Sequence, residues 1–291
     1  MKQPHAYNYV VGFFDLLGQR RALQGQGLLQ SFASADDERA FVSTLRRTIG
    51  SIAMLQRQAE DILRSALRVR RDSPLRKALS KKERVTWDEM HRAKLSTQRW
   101  SDGLVNFICL GDKGVKCPMS GVYVLLGMAG ALCYLGLASR RPVRGAIDVA
   151  WGVELHPGEL YGAAIARAYE LESQVAQWPR IVLGNEALGY LHAQRHAAGT
   201  DPFTRNNQAL AEICLAMLKR DSDECWIVDY LGSGYRAAMG THLDPEMHSR
   251  ASKYIAEQIA QHDAAADAKL LARYQQLRLY FEANPPVDAA A

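Results

Sequence analysis

The chain has 291 residues, 48% of them hydrophobic and 23% charged, the balance of a globular protein with a proper core and not of a disordered or fibrous one. Its formal net charge of +5 is uneven, because residues 56–99 carry +7 and the remainder −2. The five cysteines (109, 117, 133, 214 and 225) form no CxxC pair, which argues against a zinc site or disulfide framework, and MKQPHAYN lacks the apolar core of a signal peptide, so the expected location is cytoplasmic.

The stretch YVVGFFDLLGQR, residues 9–20, predicts a buried strand over 9–17 that ends in a turn at Gly18. Asp15 lies inside that apolar run. An unpaired buried carboxylate costs several kcal/mol, so Asp15 requires a partner, a cation or water. Residues 36–69 are mostly helix, with Phe41, Leu45, Ile49, Ile52 and Leu55 at three- and four-residue steps. A basic turn and helix region follows from Pro74. Both signs of charge are interspersed there and aromatics are scarce, which favours a solvated helical pair over a nucleic-acid or membrane footprint. TQRWSDGLVNFICLGD is a strand–turn–strand hairpin with Ser-Asp-Gly at the bend.

Residues 121–139 carry no charge and precede Arg140 and Arg141, a length that just suffices to span a bilayer. Their Gly and Ala content, and their place between two strands of one sheet, predict a helix buried in the core instead. RPVRGAIDVAWGVEL is a strand, and GELYGAAIARAYELESQVAQ is a helix behind a Gly-rich turn. RIVLG and CWIVDYL are short strands separated by a helix around 205–219. The chain closes with a helical stretch over 253–283 and a frayed tail, NPPVDAAA.

This order of elements is that of the split β-α-β, ferredoxin-like group: an α+β fold, a mixed sheet with helices packed on it, a helical insertion and a helical C-terminus. One domain is expected over residues 1–275, with the basic helical insertion at about 56–96, and 276–291 as helix end and disordered tail. In such a sheet the first strand and the hairpin are neighbours, so Asp15 and Asp102 face each other. Two carboxylates that close repel unless a proton or cations separate them, and paired divalent metals do this in phosphoryl transfer. The plainer alternative is that both acids cap surface turns.

FFDLLGQ followed by SDGLVNF resembles the paired-aspartate signature of class III nucleotide cyclases, and VRGAIDVAWGV and GELYGAAIARAYELE are similar to that family's strand and glycine-led helix. The short SDG bend, the RGAI strand and the AYELE ending most resemble the pyrimidine cyclases of bacterial Pycsar anti-phage systems, over roughly residues 7–185. The resemblance implies two Mn²⁺ or Mg²⁺ ions per site on Asp15 and Asp102, the second completed by the Leu16 carbonyl. It implies a triphosphate held by backbone N–H groups of the turn at Phe14, Leu17 and Gly18. Where purine cyclases read the base with Lys or Glu this chain has Gln98, and Glu159 occupies the second reader's position; Gln98 offers both a donor and an acceptor to uracil or cytosine. The family's transition-state Asn and Arg fall on Ala166 and Glu170, so another cation is required, from among Arg99, Arg144 and Arg167. The implied protein is a homodimer with sites shared between chains, that arginine acting on the partner's metals. It converts UTP or CTP to a 3′,5′-cyclic monophosphate that activates a separate effector; the composition separately predicts no membrane span and disfavours a nucleic-acid partner, for which the basic 56–99 region is the remaining candidate. The alternative is a catalytically silent cyclase-like domain that binds a nucleotide or a protein.

Overall fold

The computed structural model describes residues 5–19, 32–66, 73–92, 94–240 and 244–286. Strand β1 (Tyr7–Leu16) is followed by helices α1 (Ala35–Ala66), α2 (Pro74–Ala78) and α3 (Lys81–Met90). Next come the hairpin β2 (Ser96–Trp100) and β3 (Gly103–Cys109), helix α4 (Pro118–Ala138) and strand β4 (Val143–His156). A return strand β5 (Glu159–Tyr161) leads into α5 (Ala163–Glu170), which ends in a π-helical turn over Leu171–Val175. Strand β6 (Ile181–Leu183), α6 (Asn185–Arg195), α7 (Pro202–Ala216), β7 (Leu218–Arg220), β8 (Trp226–Val228), α8 (Ser233–Met239), α9 (Pro245–Ala264) and α10 (Ala268–Glu282) complete the order.

β1 is apolar on both faces because it is the interior strand, antiparallel to β3 on one side and to β4 on the other. The sheet runs β2-β3-β1-β4-β6-β8-β7, and β5 pairs with β4. Its first four strands have the expected ferredoxin-like order. β6 joins β4 in parallel, and β8 and β7 extend that edge in antiparallel fashion, so the sheet is mixed. Side chains alternate between two cores. Val10, Phe14, Leu104, Ile108 and Ile147 pack with α4 and the C-terminal helices, whereas Tyr9, Val11, Phe13, Val105 and Phe107 pack under Ala164, Ile165 and Ala168 of α5.

α4 is apolar all round because it is enclosed on every side by the sheet and by α1, α7 and α9. It is the one helix among the described residues long and apolar enough to cross a membrane, and 72% of its most apolar window is buried inside the protein. In the basic region Arg76 holds α2 to α3 through a bidentate pair with Asp88, 2.7 Å at both nitrogens, and Ser80 and Glu83 form a capping box at the start of α3. The rest of that region at 67–72 and 93, and the tail from 287, lie outside the described residues.

Several boundaries differ from those expected. The helix foreseen over 158–177 begins with β5, because residues 159–161 pair with β4. The C-terminal helical stretch is two antiparallel helices, broken at Ala266, whose φ is 53°. Helices α6 and α8 and strand β7 were not foreseen; β7 hides inside the apolar periodicity that ends α7.

Candidate active site

The register across the central strands builds the site row by row. Trp100, Gly103, Asp15 and Arg144 form one row across β2, β3, β1 and β4, and Gln98, Val105, Phe13 and Ala146 form the parallel row two residues deeper. Both rows face α5, because Phe13 and Val105 belong to the core beneath it. Gly103 contributes no side chain beside Asp15, and Asp102 stands next to it in the two-residue hairpin turn, where Ser101 takes a positive φ of 52°. Trp100 and Tyr169 close over Phe13 edge-on, at ring distances of 6.2 and 5.4 Å.

Asp15 is the acid that the opening strand made conspicuous. Its side chain is 22% exposed, and its carboxyl is pushed up to about 6, first by burial and then by the negative charge of Asp102. Arg144, with Nη2 3.7 Å from Asp15 Oδ2, and the Leu16 N–H oppose that rise without cancelling it. A third acid joins them. Glu172 is 2% exposed, in ion-pair contact with Arg144 Nε. Its carboxyl is pushed up to about 7 by burial and by Asp15 and Asp102, against the pull of Arg144. Sequence reasoning missed Glu172. The available signal was Glu170 and Glu172 two residues apart, which cannot share one α-helical face; here the π-helical turn carries Glu172 inward while Glu170 stays exposed.

The remaining candidates divide. Gln98 and Glu159 come together: the Leu160 N–H donates to Gln98 Oε1 at 3.1 Å, and Glu159, the preceding residue, is exposed. Gln98 lies two strands and two residues from Asp15, about 12 Å, the scale of one nucleotide. Leu17 donates its N–H to Pro142 O at 2.9 Å, and Phe14 sits within the ladder with its ring fully buried on the opposite face. Of the turn expected to bind triphosphate, that leaves Gly18, whose φ is +90° and whose amide makes no backbone hydrogen bond with the described residues. The Leu16 side chain is buried in the α4 core.

The three candidate arginines are all engaged. Arg99 projects to the opposite face of the sheet and pairs with Glu60 at 3.3 Å. Arg167 donates to Asp148 Oδ2 at 3.0 Å, four residues along β4 from Arg144, which is about 13 Å. Asp148 is 1% exposed and accepts the Ala187 N–H at 3.0 Å, capping α6 in place of the side chain that Gly184 lacks. Arg144 alone of the three pairs with Asp15, and it does so within one chain, where the resemblance implied action on a partner's metals. A fourth arginine, Arg273 of α10, lies near Arg144; burial and that neighbouring cation lower its pKa.

Two neighbouring aspartates, whose carboxylates offer only oxygen ligands, fit hard divalent cations such as Mg²⁺ or Mn²⁺. Among the described residues, no group of three or more His, Cys, Asp or Glu is placed to hold a metal ion. No protein-family model matches the chain, and no curated protein matches it. Among solved structures it is similar to the catalytic core of a rhodopsin-guanylyl cyclase with converted specificity, in complex with ATPalphaS. That likeness spans 77% of this chain and 98% of the other at 10% identity, with a TM-score of 0.41, a level that bears on neither substrate nor site.

Proposed function

We propose that this protein is a nucleotide cyclase that converts a pyrimidine ribonucleoside triphosphate, UTP before CTP, to its 3′,5′-cyclic monophosphate and pyrophosphate. The observation that carries the reading is the register that sets Asp15, at the end of the central strand, opposite Gly103 and beside Asp102 of the hairpin turn, with Gln98 on the same face about 12 Å away. Asp15 and Asp102 would hold two divalent cations, which supply Lewis acidity toward the 3′-hydroxyl and the phosphates. In the reaction the 3′-hydroxyl would give its proton to solvent water, O3′ would bond to the α-phosphorus, and the bond from that phosphorus to the leaving pyrophosphate would break. Gly18 offers its amide to the phosphates, and Gln98 addresses the base. Because Gln98 Oε1 already accepts the Leu160 N–H, its Nε2 is left as a donor, which suits a uracil carbonyl; the Glu159 carboxylate would instead accept from the cytosine amino group.

A homodimer is supported by the exposed aromatic side chains beside the site, Trp100 and Tyr169, which both stand against Phe13. A cytoplasmic location, the anti-phage role and a separate effector protein rest on the resemblance alone. One observation favours the second reading, a silent nucleotide-binding domain: each of Arg99, Arg144 and Arg167 is held by an acid of its own chain. Incubating the purified protein with each of the four ribonucleoside triphosphates and Mn²⁺, with product identification, separates the readings. Cyclic UMP as the main product is expected; mainly cyclic AMP or cyclic GMP overturns the pyrimidine assignment. Nucleotide binding without turnover favours the silent domain.

A further inference from the structure

We infer that Glu172 is a positioning residue: it draws Arg144 away from Asp15 and thereby keeps the Asp15 carboxylate available to a divalent cation. The inference rests on the proposed role of Asp15 and Asp102 as metal ligands. Its physical basis is the unequal sharing of one guanidinium between two acids. Arg144 Nε is in direct contact with Glu172, whereas Arg144 Nη2 stands 3.7 Å from Asp15, beyond hydrogen-bond distance. Arg144 and Asp15 are register partners on adjacent strands, so without a competitor the guanidinium is placed to close on that carboxylate.

Glu172 prevents this from below. It reaches the row only because the helix after Glu170 loosens into the π-helical turn, and at 2% exposure it has no water with which to share Arg144. A second cation, Arg273, feels the charge of Arg144, and its Nη2 donates to Gln177 Oε1 at 3.2 Å.

The test is Mn²⁺ titration of the nucleotide-free protein, read by the loss of the free-ion electron paramagnetic resonance signal, on Asp15→Asn, Glu172→Gln, Arg144→Ala and the Glu172→Gln/Arg144→Ala pair. Glutamine keeps the shape of Glu172 and removes only its charge, so Arg144 moves onto Asp15 and Mn²⁺ binding weakens about tenfold. The double variant removes the competitor and regains wild-type affinity or better, and Glu172→Asp restores binding in part. A merely structural Glu172 would lower the melting temperature without a metal penalty that depends on Arg144. Wild-type affinity in Glu172→Gln, or a double variant as weak as Glu172→Gln, overturns the inference while Asp15→Asn still loses the ion. Unchanged affinity in Asp15→Asn overturns the metal assignment and the inference with it. Should Glu172→Gln not fold, Arg144→Ala decides: several-fold tighter binding is expected, and weaker binding overturns it.

Discussion

Replacing Asp15 by asparagine should stabilise the metal-free protein while abolishing its activity. The carboxyl stands at about 6 in place of its ordinary 3.8 because burial and the Asp102 charge both disfavour the ionised form. Above pH 7 the group is ionised in the folded and unfolded chains alike, and the folded chain bears a cost on the order of 3 kcal/mol. As pH falls through 6 the folded carboxyl takes up a proton before the unfolded one does, so that cost disappears toward pH 4. Asparagine never carries it and keeps an oxygen for the Leu16 N–H. Urea denaturation of both proteins in EDTA should therefore show Asp15→Asn more stable by about 3 kcal/mol at pH 8, shrinking to about 1 kcal/mol at pH 4.5. Added Mn²⁺ should stabilise only the wild type at pH 8. A variant that is less stable at pH 8, or whose advantage does not change with pH, refutes the electrostatic account of the site.

Asp148→Ala should cost about 1–3 kcal/mol, because it strips the partner from Arg167 and the acceptor from the Ala187 N–H; thermal melts test this, and Mn²⁺ affinity should stay at the wild-type value. Gly184→Ala should be comparably damaging without any backbone strain, since the added Cβ would lie 2.2 Å from Asp148 Cγ, and a second substitution Asp148→Ser should relieve part of the loss in the same melts. Gln98→Leu should raise the KM for UTP about tenfold, the worth of one hydrogen bond, and narrow the margin over CTP in a direct competition assay.

The central half of the fold was legible because its signals are local and strong. A two-sided apolar run at 9–14, a Ser-Asp-Gly bend and an uncharged nineteen-residue helix each identify one element, and the split β-α-β order then fixes their neighbours. Asp15 was legible for the same reason, as a charge where the pattern allows none. Glu172 was not, because it reaches inward only through a departure from α-helical geometry that packing imposes and composition does not announce. Asp148 sat in plain view as a second acid in an apolar strand, yet its partners, Arg167 and the Ala187 amide, lie 19 and 39 residues away. β7 has three residues, too short for any period to emerge, whereas β6 and β8, equally short, were legible as the isolated apolar runs in RIVLG and CWIVDYL. The break between α9 and α10 falls among alanines with neither Gly nor Pro to mark it.

The interior position of β1 has a consequence for how the chain is made. β1 lies near the start of the sequence, but one of its two hydrogen-bonding edges waits for β3 and the other for β4, which ends at His156. At ribosomal speeds of about 5–20 residues per second, that second edge stays unpaired for about 10–30 s after β1 is synthesised. During that interval YVVGFFDLL is an apolar strand with free edges, the kind of segment that pairs with copies of itself. Asp15 then has a second duty: it is the one charge in that stretch, fully hydrated while the strand is bare, and it opposes self-association until β4 arrives.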